Sequence, residues 1–167
     1  AFMARARVDR LARDFNVTIK WRAYELHPEL PNSGQPLGQS MQRRTTFRNR
    51  LSAMARESGR DMRFRDVMSN SRLALEAAEF ARDQEKLDEF QQAIFHAYWI
   101  ETKDIGDDTV LAKIGTDLSM EGYLLRAAVV TRTYRERVDY QIQIAKDIGV
   151  GAVPAFIFDN RAQLTNW

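Results

Sequence analysis

The period of the apolar residues changes twice along this chain, and that double switch limits the folds open to it. Val17, Ile19, Trp21 and Ala23 alternate with Thr18, Lys20, Arg22 and Tyr24, the pattern of a strand with one buried face. From 39 to 147 the pattern is helical, with helices expected at 39–57, 71–83, 85–102, 108–116 and 120–147. Ala155-Phe156-Ile157-Phe158 is then a short apolar run, as in a strand buried on both faces. Asp159-Asn160 offers a tight turn after it, and 161–167 a return strand. Ahead of everything, Val8, Leu11, Ala12 and Phe15 repeat at helical spacing, with Arg5, Asp9 and Arg13 elsewhere on the wheel. Strands at both ends of a helical block specify an α/β sheet with an inserted helical subdomain rather than a helical bundle. The expected division is 1–38 with 148–167 as one discontinuous domain, and 39–147 as the insertion.

Punctuation supports this order. His27-Pro28-Glu29-Leu30-Pro31-Asn32-Ser33-Gly34 reads as a loop. Gly59 is placed to end the first helix of the block. Asn70 or Ser71, Asp107 and Ser119 are placed to cap the second, fourth and last. The stretch 62–67 is mixed, a loop or a brief extended piece.

Several function classes drop out on composition. Hydrophobic residues make up 44% of the chain, so a packed core is expected. The net charge of +2 argues against a nucleic-acid partner. Arg43, Arg44, Arg48, Arg50, Arg56, Arg60, Arg63 and Arg65 cluster, but Glu57, Asp61 and Asp66 dilute them, which reads as a solvated face. No run is long enough for a membrane-spanning helix, and the arginine-rich start is not a signal-peptide pattern. No membrane partner is expected.

There is no cysteine among the 167 residues, so no thiolate nucleophile or disulfide can come from them. His27 and His96 are too few for a metal site, and no His-Glu-x-x-His spacing occurs; no metal is expected. His96 sits among Ile94, Phe95, Tyr98 and Trp99 and reads as a core or lining residue. His27 reads as a structural or solvated loop residue. Phe90, Phe95, Tyr98 and Trp99 are expected to pack the insertion, with a secondary role in lining a cleft beside it. Asp107-Asp108 reads as helix capping.

The most informative stretch is Gly149-Val150-Gly151-Ala152-Val153-Pro154, leading into the apolar run. A proline at the mouth of a strand donates no ladder hydrogen bond. The Val153–Pro154 bond has a cis option, although trans is favoured when X–Pro bonds are taken alone.

This stretch resembles the cis-proline loop of thioredoxin-fold proteins, in the DsbA-like group of the FrnE type. Trp21-Arg22-Ala23-Tyr24-Glu25-Leu26-His27-Pro28-Glu29-Leu30-Pro31 is similar to that group's second strand and exit loop, where Asn is usual at the position of His27. Asn70-Ser71-Arg72-Leu73-Ala74-Leu75 resembles its helix entry in the insertion. Phe95-His96-Ala97-Tyr98-Trp99 with Asp104-Ile105-Gly106-Asp107 resembles its next landmark. The resemblance runs through nearly the whole chain in the right order.

The resemblance implies a thioredoxin-like sheet whose first strand and C-terminal helix are missing from these residues, which would be part of a longer protein. It implies a Cys-x-x-Cys motif upstream of Ala1 and no catalytic residue within the chain. It makes Ala152, Val153 and Pro154 the expected substrate-binding residues, with a cis bond at Pro154 and the loop against the start of the first helix. The implied activity is dithiol–disulfide exchange on protein or peptide disulfides, with no cofactor. Two alternatives stay open. Relatives on the same scaffold, the kappa-class glutathione transferases and 2-hydroxychromene-2-carboxylate isomerases, use serine in place of the first cysteine and bind glutathione, and a cysteine-free member can serve as a peptide-binding module. A bacterial cytoplasmic setting and a homo-oligomer are compatible with the resemblance.

Overall fold

The computed structural model describes residues 2, 4–36, 41–57, 59, 62–158 and 162–165. In chain order the elements are α1 (Arg5–Asp14), β1 (Gln35–Pro36), α2 (Met41–Glu57), β2 (Val67–Met68), α3 (Arg72–Asp83), α4 (Leu87–Trp99), α5 (Asp108–Asp117), α6 (Gly122–Val130), α7 (Arg135–Asp147), β3 (Ala155–Phe158) and β4 (Ala162–Thr165). The architecture is α/β and rich in helix. β1 pairs antiparallel with β2. β3 pairs antiparallel with β4, with Phe156 opposite Leu164 and Ile157 opposite Gln163. The expected turn at Asp159-Asn160 lies outside the described residues.

The main core joins α3 through α6. Ala77, Phe80 and Ala81 of α3 meet Phe90 and Ala97 of α4, Leu111 and Ile114 of α5, and Leu125 and Val129 of α6. α5 and α6 approach closely because Gly122 has no side chain; a Cβ there would lie 2.6 Å from the Ala112 carbonyl oxygen. The opposite face of α4 meets a second cluster, in which Phe95 and Trp99 pack on Phe2, just ahead of α1. Ala23, Val138 and Ile142 form a third, beside Leu75.

Three expectations are corrected. The segment 17–24 is extended but is not a strand, and it shares no sheet with 155–158. A strand needs a backbone ladder, and this segment is in none of the ladders among the described residues. Side chains hold it instead: the Ala23 N–H donates to Gln141 Oε1 (2.7 Å), Arg82 donates to the Trp21 carbonyl (2.8 Å), and the Tyr24 hydroxyl donates to the Val150 carbonyl (3.2 Å). Only its far end is covered: Ala23 is buried, whereas Val17 and Ile19 are 44% and 38% exposed. Similarly, β3 is not buried on both faces. Among the described helices and strands it meets only β4, and Ile157 and Phe158 are exposed.

The third correction concerns 120–147, which is two helices. Arg132 has φ 58° and closes α6: the Thr133 N–H reaches the Ala128 carbonyl (2.9 Å) and the Arg132 N–H the Val129 carbonyl (3.2 Å). This paired closure satisfies carbonyls that a helix end leaves open. Ser119, expected to cap a following helix, closes α5 in the same way, with φ 60°. The other caps differ in detail. Asp107 accepts from the Thr109 N–H and caps α5. Ahead of α3, Asn70 rather than Ser71 accepts from the Arg72 N–H, while donating to the Leu30 carbonyl.

α3 also carries two carboxylates withdrawn from water. Glu76 is fully buried and binds Arg72 and Arg132; Glu79, 2% exposed, binds Arg82 and lies 3.6 Å from Arg137. Arg72 continues to Glu25 and to Asp139. This ionic seam ties the extended segment and α7 to α3.

Candidate functional site

The loop after α7 is fixed at its start and open at its end. Gly149 takes φ 76° and lets the helix close through the Val150 N–H to the Ala145 carbonyl (2.8 Å). Val150 is buried, and its carbonyl accepts from Tyr24. Past Gly151 the chain emerges. Ala152 and Pro154 are half-buried and Val153 is 37% exposed. The Val153–Pro154 peptide bond is cis. Among the described residues neither the N–H nor the C=O of Val153 enters a hydrogen bond. Proline brings no N–H of its own, so Val153 carries the last backbone N–H ahead of β3. The structure brings Ala152, Val153 and Pro154 together at one exposed turn. This loop is expected to lie beside Ala1 and Phe2; Ala1 is outside the described residues, and Phe2 packs on Phe95 and Trp99 of α4.

A cavity of about 420 Å3 opens between the start of α1 and α4, lined by Phe2, Arg5, Gln92, Ala93, Phe95, His96 and Ile100. His96, whose side chain is 60% exposed, is a lining residue and not a core one. Phe95 divides its surface between this cavity and the Phe2 cluster. Phe90 packs in the main core, and Tyr98 and Trp99 pack edge to face at 4.7 Å. Burial raises the Tyr98 phenol above its usual pKa.

Arg5 was invisible as a site residue in the sequence, where it read as one arginine of an exposed helix face. Its side chain is 6% exposed. Burial opposes its charge, but hydrogen bonds to Asp88 and Asp9 outweigh that, and its pKa is raised. Asp88 is correspondingly held below the usual carboxylate range: burial pushes it up, and Arg5 and Gln92 pull it further down.

Other candidates resolve into structural roles. His27 pairs with Glu29 at the surface. Arg48 lies over the Phe64 ring and donates to the Arg65 carbonyl, and Arg65 binds Ser69 and Asp104. Arg50, Arg56 and Arg63 are exposed. Among the described residues no three His, Cys, Asp or Glu side chains cluster as a metal would require, and no helix is long and apolar enough to cross a membrane.

Comparison with known proteins bears on this geometry. Bacillus subtilis (strain 168) YwbO, an uncharacterized protein, is 26% identical in an alignment of 162 positions that covers 93% of this chain and 79% of that protein. The solved structure of a probable DsbA oxidoreductase from Streptomyces coelicolor superposes with a TM-score of 0.88 at 19% identity, covering 98% of this chain and 77% of the other. A 2-hydroxychromene-2-carboxylate isomerase gives 0.78 at 19% identity, over 98% of this chain and 81% of the other. The cytosolic disulfide reductase DsbM from Pseudomonas aeruginosa, solved with GSH, gives 0.73 at 16% identity, over 98% and 83%. These likenesses establish a thioredoxin-like α/β fold with a helical insertion. The DSBA-like thioredoxin domain matches residues 1–167 in full. With an open loop before β3, a helix-rich insertion and a match along its entire length, this chain belongs to the DSBA-like thioredoxin domain family.

Proposed function

We propose that these residues form the substrate-binding part of a thiol–disulfide oxidoreductase of the FrnE type, acting on protein or peptide disulfides. The observation that carries the reading is the unengaged Val153 backbone, exposed beside Pro154 in a chain of this family. A peptide laid along Val153 would bond to it as an added strand. The division into a thioredoxin-like unit (1–38 and 148–167) and a helical insertion (39–147) belongs to the same proposal. The insertion would shape which substrates reach the loop.

The reacting sulfur comes from outside the 167 residues, which contain no cysteine. Its proposed place is a Cys-x-x-Cys just before Ala1. A helix N-terminus stabilises a thiolate, and the first turn of α1 has no acidic residue to oppose one. The thiolate attacks one sulfur of the substrate disulfide, forms a mixed disulfide and releases the other sulfur as a thiolate. The second cysteine then attacks the mixed disulfide, frees the reduced substrate and leaves the enzyme oxidised.

A second reading is a glutathione-binding transferase or isomerase. The solved likenesses include an isomerase and a reductase held with GSH, and Val153 would serve a glutathione backbone as well as a protein one. A non-catalytic peptide-binding module is the third.

Insulin disulfide reduction by dithiothreitol separates these readings. The 167-residue chain is expected to leave the background rate unchanged, because it has no thiolate. A protein carrying its encoded residues ahead of Ala1 is expected to accelerate the reaction. Acceleration by the 167 residues contradicts the chemistry; a longer protein that stays inactive overturns the redox reading in favour of the other two.

A further inference from the structure

The solvent side of α6 carries no charge. Gly122, Leu125 and Val129 are buried toward the core. At about 100° per residue, the opposite side of the helix presents Tyr123, Leu124, Ala127, Val130 and Thr131. All five are exposed, Tyr123 by 69%, Val130 by 61% and Leu124 by 45%. The Thr131 hydroxyl donates to the Ala127 carbonyl (2.8 Å), so it requires no outside partner. The charged residue of α6, Arg126, lies at the flank, 3.3 Å from Asp108 of α5. An uncharged apolar strip with a polar rim is the anatomy of a protein interface and not of a solvated helix face.

The order of residues along the strip fits it to a second copy of itself. Tyr123 and Val130 stand to one side of Ala127, and Leu124 and Thr131 to the other. When two such helices cross antiparallel about a twofold axis at Ala127, Tyr123 of one copy meets Val130 of the other, and Leu124 meets Thr131. A residue on the axis meets its own copy. Ala127 is small there, so the helix axes can approach to about 8–10 Å, and it brings no charge to repel itself. The ends match as well. Glu121, just ahead of α6, is exposed, makes no cap hydrogen bond and enters no ion pair among the described residues. The antiparallel crossing sets it beside the chain that follows α6 in the other copy, where the Arg135 side chain is 67% exposed with Asp139 3.6 Å away. A net charge of +2 adds little repulsion between copies.

We infer that the outer face of α6 docks on the same face of a second copy of this chain, forming a weak antiparallel dimer. A helix of 9 residues is about 14 Å long and about 10 Å across, so the pair buries much less than the roughly 1,000 Å2 of a stable interface. The dimer is therefore expected at about 0.1–1 mM chain and not below. The inference stands on α6 alone and is independent of the redox reading.

Sedimentation of the chain over that range is expected to show a monomer–dimer equilibrium. Ala127→Glu, which sets two carboxylates on the axis, is expected to weaken it at least about tenfold. Because the chain has no cysteine, a thiol introduced by Ala127→Cys is unique. On the axis two such thiols fall within the Cα separation that a disulfide spans, so mild oxidation is expected to cross-link Ala127→Cys at least about tenfold faster than Arg10→Cys. Arg10 is the control because its side chain is 78% exposed on α1. A chain that stays monomeric at about 1 mM would overturn the inference and leave the face to a different protein. Association that a folded Ala127→Glu chain keeps undiminished would overturn it by placing the contact elsewhere, and so would equal cross-linking at the two sites. If Ala127→Glu does not fold, the comparison of Ala127→Cys with Arg10→Cys decides.

Discussion

Glu76→Ala is expected to lower the stability of this chain by about 3 kcal/mol, toward the small end of what breaking a buried ion pair costs. The carboxylate is fully buried and receives Arg132 Nε at 2.8 Å, Arg132 Nη2 at 2.7 Å and Arg72 Nε at 2.9 Å. Removing it leaves two guanidinium groups facing an apolar methyl. The figure stays low because the Arg132 side chain is 36% exposed and water can reclaim it, and because Arg72 keeps Glu25 and Asp139. Urea unfolding followed by circular dichroism measures the loss; a change under about 1 kcal/mol would remove the seam from the account of stability.

The same residue sets an acid dependence. Burial would raise the Glu76 pKa, but the hydrogen bonds from Arg132 and Arg72 outweigh it and hold it below the usual 4.5. A carboxylate whose folded pKa is lowered contributes stability that is whole above its unfolded pKa and fades as pH falls through the folded one. The difference between the chain and its Glu76→Gln variant is therefore expected to be constant at neutral pH and to shrink below about pH 4.5. A difference that grows on acidification would show that the pair is not ionised as drawn.

Phe90→Ala is expected to cost about 3–5 kcal/mol, the largest effect of any single truncation proposed for this chain. Phe90 has no exposed surface and sits where α3 to α6 converge. Two of those elements, α5 and α6, interlock through close backbone approach at Gly122, which limits collapse into the space left behind. The control is Tyr123→Ala on α6, a side chain 69% exposed, which is expected to change stability by about 0.5 kcal/mol or less. Comparable losses from both would mean that the core of the insertion does not lie where the structure puts it.

Most helix positions were legible in the sequence because apolar residues recur at helical spacing, and a few ends carry a residue suited to a cap. Asp107 is the plain case, an acidic residue one position ahead of α5 that accepts from the Thr109 N–H. Gly149 is another, a residue without a Cβ penalty at the left-handed position that ends α7. Glu85 and Arg132 occupy the same kind of position and gave no signal, and Ser119 there reads as the start of the next helix, since side chains avoid the position when local preference alone decides. At Arg132 the tertiary structure decided: the side chain is bound to a carboxylate on α3, fifty-six residues earlier, and that tie accompanies the break that divides 120–147.

The strand pattern at 17–24 shows the complementary limit. Alternation records which side chains a segment could bury in a sheet, and it says nothing about whether a backbone runs alongside to bond with it. Here Gln141, Arg82 and Val150 hold the segment, each more than sixty residues away in the chain. The Ala152-Val153-Pro154 loop was legible because glycine and proline act on their own backbone. Arg5 was not, because its pairing with Asp88 depends on α1 and α4 lying together. Local chemistry thus determined the helices, most caps and the exposed loop, each of which needs only neighbours a few residues away. The split last helix, the side-chain-held extended segment, the buried carboxylates of α3 and the cavity at Arg5 were decided by the tertiary structure. Each depends on charges or backbone groups that meet only after helices distant in sequence have packed.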